Sequence, residues 1–272
     1  MPTIVISKQD LAGQTILGQL LKHYNFDEDG KFEGNPRYRI KNIDLIVTNE
    51  RLIFCNHLDE IKTDLFIFGS KHKSESERPS LLTHSTGNWS DEAIFGGNPH
   101  ELAIAPAFAI REALLELKIQ QEKLNLSNFE VAMEVSHHGP TNLTTPLVFI
   151  ELGSNETHWK NELGAKAVAR AIMRVAFSKN RYKTVIGFGG THYCPNFNRL
   201  IYNSDVATSH IAPKYVLDNI DKMVEQAIER TMENVKLAVL DWKGMSSKQK
   251  NKIKTILETI DLEYCKVNEL YK

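Results

Sequence analysis

Phe129-Glu130-Val131-Ala132-Met133-Glu134-Val135 runs straight into Ser136-His137-His138-Gly139-Pro140-Thr141, and this junction decides how the chain is read. The first part is rich in Val, Met and Ala over a length that suits a buried strand rather than a helix. The chain then meets two adjacent histidines, and Gly139-Pro140 turns it sharply. In open α/β sheets a ligand sits just beyond the carboxyl ends of parallel strands, where this loop falls if its strand is parallel to its neighbours. Side chains next to each other on extended backbone point opposite ways, so one of the two histidines is expected to face a given ligand. A surface loop with incidental histidines is the plain alternative.

Working outward, further strands are predicted at Thr3–Ser7, Ile43–Thr48, Asp64–Gly69, Leu147–Leu152, Thr184–Phe188 and Leu237–Asp241, each short and rich in Val, Ile, Leu or Phe. Helical patterns alternate with them. Asn98-Pro99 and Glu101 read as a cap, a first-turn proline and a capping-box acid ahead of Leu102–Leu117, with Pro106 kinking that helix or delaying its start. Ser154 or Asn155 opens a helix over Glu156–Ser178. Pro213 opens a third, striped by Leu217, Ile220, Val224, Ile228 and Thr231. Ser246 and Gln249 form a capping box before the stripe Ile253, Ile256, Leu257 and Ile260. This alternation predicts an α/β fold, a mixed central sheet with helices on both faces, in one domain over residues 1–272. Segments 27–39 and 71–99 are long and polar for plain connections, and read as loop insertions that build a site rim or a small subdomain.

Composition narrows the class. The 272 residues are 42% hydrophobic and 25% charged, so a sizeable core is available and disorder is not indicated. No apolar run approaches the ~20 residues of a membrane span, and Met1–Gly13 lacks the pattern of a secretory signal. Cys55, Cys194 and Cys265 are too scattered for a disulfide framework, and a reducing cytosol is expected. Lys plus Arg number 33 against 34 Asp plus Glu, for a net charge of −1. A nucleic-acid binder with that balance must use a local patch. Lys179, Arg181 and Lys183, or Lys243, Lys248, Lys250, Lys252 and Lys254, can supply one; solvated lysines on surface helices are the blander reading.

A second loop carries chemistry. Gly187-Phe188-Gly189-Gly190-Thr191-His192-Tyr193-Cys194-Pro195 also follows an apolar strand. Its glycines permit close backbone approach and leave amides for an oxyanion or phosphate. His192 and Cys194 are zinc-competent and, on extended backbone, face one side. His72, His84 and His210 lie on supporting segments, each more often structural than functional. No Gly-x-Ser-x-Gly elbow exists, and Cys194 lacks the surroundings of a known nucleophile. Water activated by a metal or a histidine is therefore favoured over covalent catalysis.

Met133–Thr141 (MEVSHHGPT) and Gly189–Pro195 (GGTHYCP) resemble the two signature segments of the archaeal and plant-type D-aminoacyl-tRNA deacylases. The resemblance extends to Asp10–Gly13, Ser70–His72, His84 with Gly87-Asn88, Glu151–Trp159 and His210–Tyr215. It implies hydrolysis of the ester joining a D-amino acid to the 3′ end of tRNA, Zn2+ as cofactor, and a fold related to nucleoside phosphorylase and peptidyl-tRNA hydrolase. The residue roles come from side-chain chemistry rather than from the family. His137, His138, His192 and Cys194 are the expected zinc ligands. His137, His138, His192 and Glu134 are the catalytic candidates, although Glu134 on a strand can also simply face solvent. Gly189, Gly190 and Thr191 would supply amides to the oxyanion. Lys71, Lys214, Asn88 and Thr141 would bind substrate. A monomer with tRNA as partner, in the cytoplasm and off the membrane, completes the expectation. Alternatives are a peptidyl-tRNA hydrolase-like or nucleoside-phosphorylase-like enzyme, or a non-catalytic RNA-binding module.

Overall fold

Apolar runs too short for helices become strands wherever they can be buried on both faces. In the computed structural model, which describes residues 1–271, they do so in two sheets. The first half of the chain gives β1 (Pro2–Ser7), α1 (Leu11–His23), β2 (Asp27–Phe32), β3 (Asn35–Ile40), β4 (Ile43–Thr48), β5 (Leu65–Lys71), β6 (Ser80–His84), β7 (Gly87–Asn88) and β8 (Glu101–Leu102). Next come α2 (Ala107–Lys123), β9 (Glu130–Met133), β10 (Leu147–Gly153), α3 (Glu156–Trp159), α4 (Glu162–Phe177) and β11 (Lys183–Phe188). Then follow α5 (Pro195–Tyr202), β12 (Val206–Ala212), α6 (Met223–Glu229), β13 (Val235–Leu240), α7 (Ser247–Thr259) and β14 (Glu263–Lys266).

The larger sheet has eight strands in the order β2-β3-β4-β1-β5-β10-β6-β9. Strands β4, β1, β5 and β10 are parallel, whereas β6 and β9 run against β10. It is thus the mixed sheet the alternation predicted. Period-2 alternation sorts its two faces. Ile4, Ile6, Ile67, Val148 and Ile150 pack with residues of α1, α2 and α4. Val5, Ile46, Phe66, Phe68, Leu147 and Phe149 face the other way, onto Leu52, Cys55 and Leu58 of short 3₁₀ turns and onto Ala103 and Leu143. The smaller sheet, β12-β11-β13-β14, is wholly parallel. It packs Phe197, Leu200 and Ile201 of α5 on one face, and α6 and α7 on the other.

Several expectations need correction. Phe129–Val135 and Thr184–Phe188 lie in different sheets, because β9 pairs with β6 and the chain then crosses over. Glu134 N donates to Thr83 O at 3.1 Å, Val135 N to His192 O at 3.0 Å and Ser136 N to Ile211 O at 3.3 Å. Segment 27–39 forms the β2–β3 hairpin at the sheet edge, and 71–99 contains β6, a fully buried inner strand. Of the two outcomes open at Pro106 the helix takes the later start, at Ala107, as the missing proline N–H and fixed φ favour, so Asn98 and Pro99 do not cap it. The one expected over Glu156–Ser178 breaks near Asn161, which caps α4 through Gly164 N. Pro213 opens a turn and α6 begins later, at Met223, while His210 sits inside β12. The Ser246–Gln249 capping box forms as read. No described helix is long and apolar enough to cross a membrane.

Candidate active site

The cluster grows from strand ends that arrive from opposite directions on the helix-free face of the large sheet. Phe149 of β10 pairs with His84 of β6, and their rings stack at 5.5 Å. Two residues on, Glu151 faces the same side. Beyond β5 comes His72, and beyond β9 comes Glu134. Glu134 and Glu151 are almost wholly buried, at 2% and 3% exposure, and a buried carboxylate costs several kcal/mol unless positive charge meets it. His72 Nδ1 lies 3.4 Å from Glu151 Oε2 and 3.6 Å from Glu134 Oε2. His84 Nε2 lies 3.8 and 4.0 Å from the same two oxygens. Burial would push both histidines down, but Glu151 and Glu134 outweigh it and their pKa values rise. Burial would likewise raise both carboxyls; His192, His72 and His84 hold Glu134 below its usual range, and His72 and His84 do the same for Glu151.

His137 and His138 complete the wall. Their rings lie 4.5 Å apart, and those of His84 and His137 4.2 Å apart. The expectation that only one of the adjacent histidines would face the site is therefore corrected. His138 adopts φ 46°, the left-handed region, which undoes the strand alternation and swings both rings to one side. His84, His137 and His138 share a pattern. Each Nδ1 meets a backbone carbonyl, that of Ser85 at 3.0 Å, Val135 at 2.9 Å and Gly139 at 2.7 Å. A carbonyl only accepts, so each Nδ1 carries the proton and each Nε2 offers a lone pair. Burial, then the neighbouring histidines, drive the pKa of His137 well down, and burial with His84 brings His138 to about 4.

These atoms fit a divalent cation. His84, His137 and His138 can place one donor each within 4.8 Å of one another; so can Glu134, His137 and His192, and His72, Glu134 and Glu151. His84 Nε2 and both Glu134 carboxylate oxygens are buried without a hydrogen-bond partner. His192 Nε2 lies 3.0 Å from Glu134 Oε1, but off the line of a hydrogen bond. Orphaned buried polar atoms are uncommon, and carbonyl-anchored imidazoles are the usual support of metal-binding histidines. The cluster opens into a cleft of about 780 Å³ lined by His72, His137, His138, His192, Glu151, Asp10, Lys71 and Phe95, among others.

The profile of the D-aminoacyl-tRNA deacylase family matches residues 59–265. The chain is 35% identical over 97% of its length to a D-aminoacyl-tRNA deacylase of Thermococcus onnurineus, covering 99% of that protein. The chain belongs to the D-aminoacyl-tRNA deacylase family. A family member from Pyrococcus furiosus is 35% identical over 98% of this chain and 100% of its own, and one from Methanosarcina barkeri 35% identical over 98% and 90%. The solved crystal structure of a conserved protein of unknown function superposes with a TM-score of 0.91 at 28% identity, over 99% of this chain and 96% of that one.

Against this family background, His137, His138, His192, Glu134 and Lys71 of the sequence candidates converge on the cleft or its floor. Cys194 does not join them. It caps α5 at φ 31°, so the same-side argument for extended backbone fails. Its Sγ donates to Met133 O at 3.1 Å, and burial raises its pKa well above the usual thiol value. Gly189 N is spent on Ala212 O, Gly190 O accepts Lys214 N, and both glycines pack on Asp241. Asn88 Nδ2 holds the carbonyls of Gly96 and Asn98, and Thr141 Oγ1 donates to Glu101. None of Asn88, Thr141, Gly189, Gly190, Thr191 or Lys214 lines the cleft. Glu151 was missed. Its signals were an acid inside the apolar run Leu147–Leu152 and its place at the head of the resembling segment Glu151–Trp159.

Proposed function

We propose that this chain cleaves the ester joining a D-amino acid to the 3′ end of tRNA, at the cleft above Glu134 and Glu151, with zinc as cofactor. The observation that carries this reading is the set of imidazole nitrogens with anchored opposite faces beside two buried, underpartnered carboxylates. His84, His137 and His138 would hold the ion through Nε2. When bound, zinc would polarise the ester carbonyl and bring the pKa of water to about 7.

The remaining steps belong to side chains. The ionised Glu134, 3.0 Å from His192 Nε2, would favour the tautomer that carries its proton on that nitrogen, leaving the Nδ1 lone pair towards Tyr215 Oη, 3.3 Å away. His192 is half-exposed on the cleft side, so it can take the proton of an attacking water and return it to the ribose oxygen as the ester breaks. His72, whose proton Glu151 and Glu134 hold, brings positive charge to the cleft where the tetrahedral oxygen becomes negative. Tyr193 Oη lies 3.1 Å from His72 Nε2 and steadies that ring. With charged tRNA as the substrate, the cytoplasm is the compartment this reading proposes.

Release of free amino acid from D- and L-tyrosyl-tRNA, with wild type and with Glu134→Gln, tests the reading. Turnover of the D form, little of the L form, and a fall of about 10²-fold or more in the variant are expected. Equal turnover of both hands, or none of either, would contradict it.

A further inference from the structure

Loop 90–98 carries two large apolar side chains into solvent, Ile94 at 76% and Phe95 at 61% exposure. The loop is nonetheless anchored. Gly139 N donates to Phe95 O at 3.2 Å, Asn88 Nδ2 reaches the carbonyls of Gly96 and Asn98, and Gly96 lies against Ile53 and Phe54. Phe95 is therefore fixed beside the turn that carries His138, and it lines the catalytic cleft. Cations share that rim: Arg51, with its guanidinium 5.2 Å from the Phe54 ring, together with Lys71 and Lys73. An exposed aromatic ring flanked by cations beside a hydrolytic centre has the make-up of a single-stranded nucleic-acid site, where bases stack and phosphates are neutralised.

We infer that Phe95 is the platform on which the 3′-terminal base of the tRNA stacks, with Arg51 and Lys73 meeting the phosphates behind it. This rests on the function proposed above and deepens it. The ester hangs from the ribose of that terminal nucleotide, so seating its base on Phe95 holds the ester next to His138 and His192. The platform reads the nucleotide and not the amino acid, which gives the enzyme one anchor for many charged tRNAs. It also answers the neutral net charge, because a few rim cations and one stacked base replace a broad basic face.

The test uses an acceptor-stem hairpin RNA ending in CCA, with 2-aminopurine in place of the terminal adenine. Binding to the wild-type protein should quench the 2-aminopurine. Phe95→Ala should abolish the quench and lower kcat/KM on D-tyrosyl-tRNA about 5- to 150-fold, as expected for the loss of one stacked base. Phe95→Tyr should restore both. Arg51→Ala and Lys73→Ala should each reduce the log–log salt slope of binding by about 0.7. An unquenched wild-type complex, or equal quench in wild type and Phe95→Ala, would overturn the platform. So would a Phe95→Ala rate loss that follows the size of the amino-acid side chain while the quench persists, because Phe95 would then serve the amino acid. Turnover of D-tyrosyl-tRNA by the wild type judges the proposed function separately.

Discussion

His84, on an inner strand of the large sheet, and His210, on the edge strand β12 of the small one, are both completely buried, yet they answer to different demands. On β12, His210 Nδ1 accepts from Ser136 Oγ at 2.8 Å, and its Nε2 donates to the carbonyls of Ala103 and Arg230, both at 3.1 Å. Every polar atom of that ring is used, and burial brings its pKa to about 4. At the end of β6, His84 Nδ1 is anchored on Ser85 O, but its Nε2 has only two carboxylates near 4 Å and no hydrogen bond. A proton or a metal ion at that nitrogen answers the same need. The lesson is that burial does not separate a structural histidine from a working one. The hydrogen-bond account of each ring nitrogen does.

Exchanging the two residues for alanine should split stability from activity. His84→Ala, judged on soluble folded protein, should lower D-aminoacyl-tRNA deacylation by about 10²-fold or more and reduce bound metal, because a donor is lost. Full activity in that variant would erase the contrast. His210→Ala strands Ser136 and two carbonyls and leaves a cavity, so it should cost about 2–4 kcal/mol by denaturant unfolding. Its rate per folded molecule should stay within a few-fold of wild type. A loss of rate without a loss of stability would place His210 in the chemistry.

A finer effect is the pH dependence that His210 contributes. Its folded pKa of about 4 lies below the unfolded value near 6.5. Between the two, the unfolded chain binds a proton the native chain refuses, so stability falls as the medium is acidified. The contribution is complete above about pH 6.5, is lost as pH drops towards 4, and amounts to about 3 kcal/mol. The difference in unfolding free energy between wild type and His210→Gln, followed from pH 7 to 4.5, should shrink accordingly. A constant difference would mean that His210 titrates alike in the folded and unfolded chain, and a difference that grows on acidification that the fold holds it protonated. The smallest effect is expected at Cys194, whose thiol is buried on Met133 O. Cys194→Ala should keep its metal and its rate within about twofold, and cost about 1 kcal/mol of stability.

The same contrast explains what was legible in the sequence. β1, β4, β5, β10, β11 and β13 were visible because runs such as Leu65-Phe66-Ile67-Phe68 bury both faces and contain little else. β6 (Ser80-Leu81-Leu82-Thr83-His84) and β12 (Val206–Ala212) hid behind polar side chains that satisfy one another inside. Thr83 donates to Phe149 O, and Ser209 pairs with Thr231. Helix α1 went unread, although Asp10 caps it through Gly13 N. The histidines of the two signature loops could be named because loops after strands are where chemistry collects. Their convergence could not be, since it depends on a left-handed His138 and on a chain crossing between two sheets. Glu151 and His84 both fall on segments that carry the family resemblance, but their meeting shows only once the antiparallel pairing of β6 with β10 brings them together.

Metal-dependent deacylation tests the central claim most directly. Protein stripped with a chelator and shown to be metal-free should release no D-tyrosine from D-tyrosyl-tRNA above background. Added Zn2+ should restore the rate in wild type, with binding seen by calorimetry, and should restore neither rate nor binding in His84→Ala. Full-rate deacylation by verified metal-free wild-type protein would contradict the account and leave the His84, His137 and His138 nitrogens without the partner assigned to them.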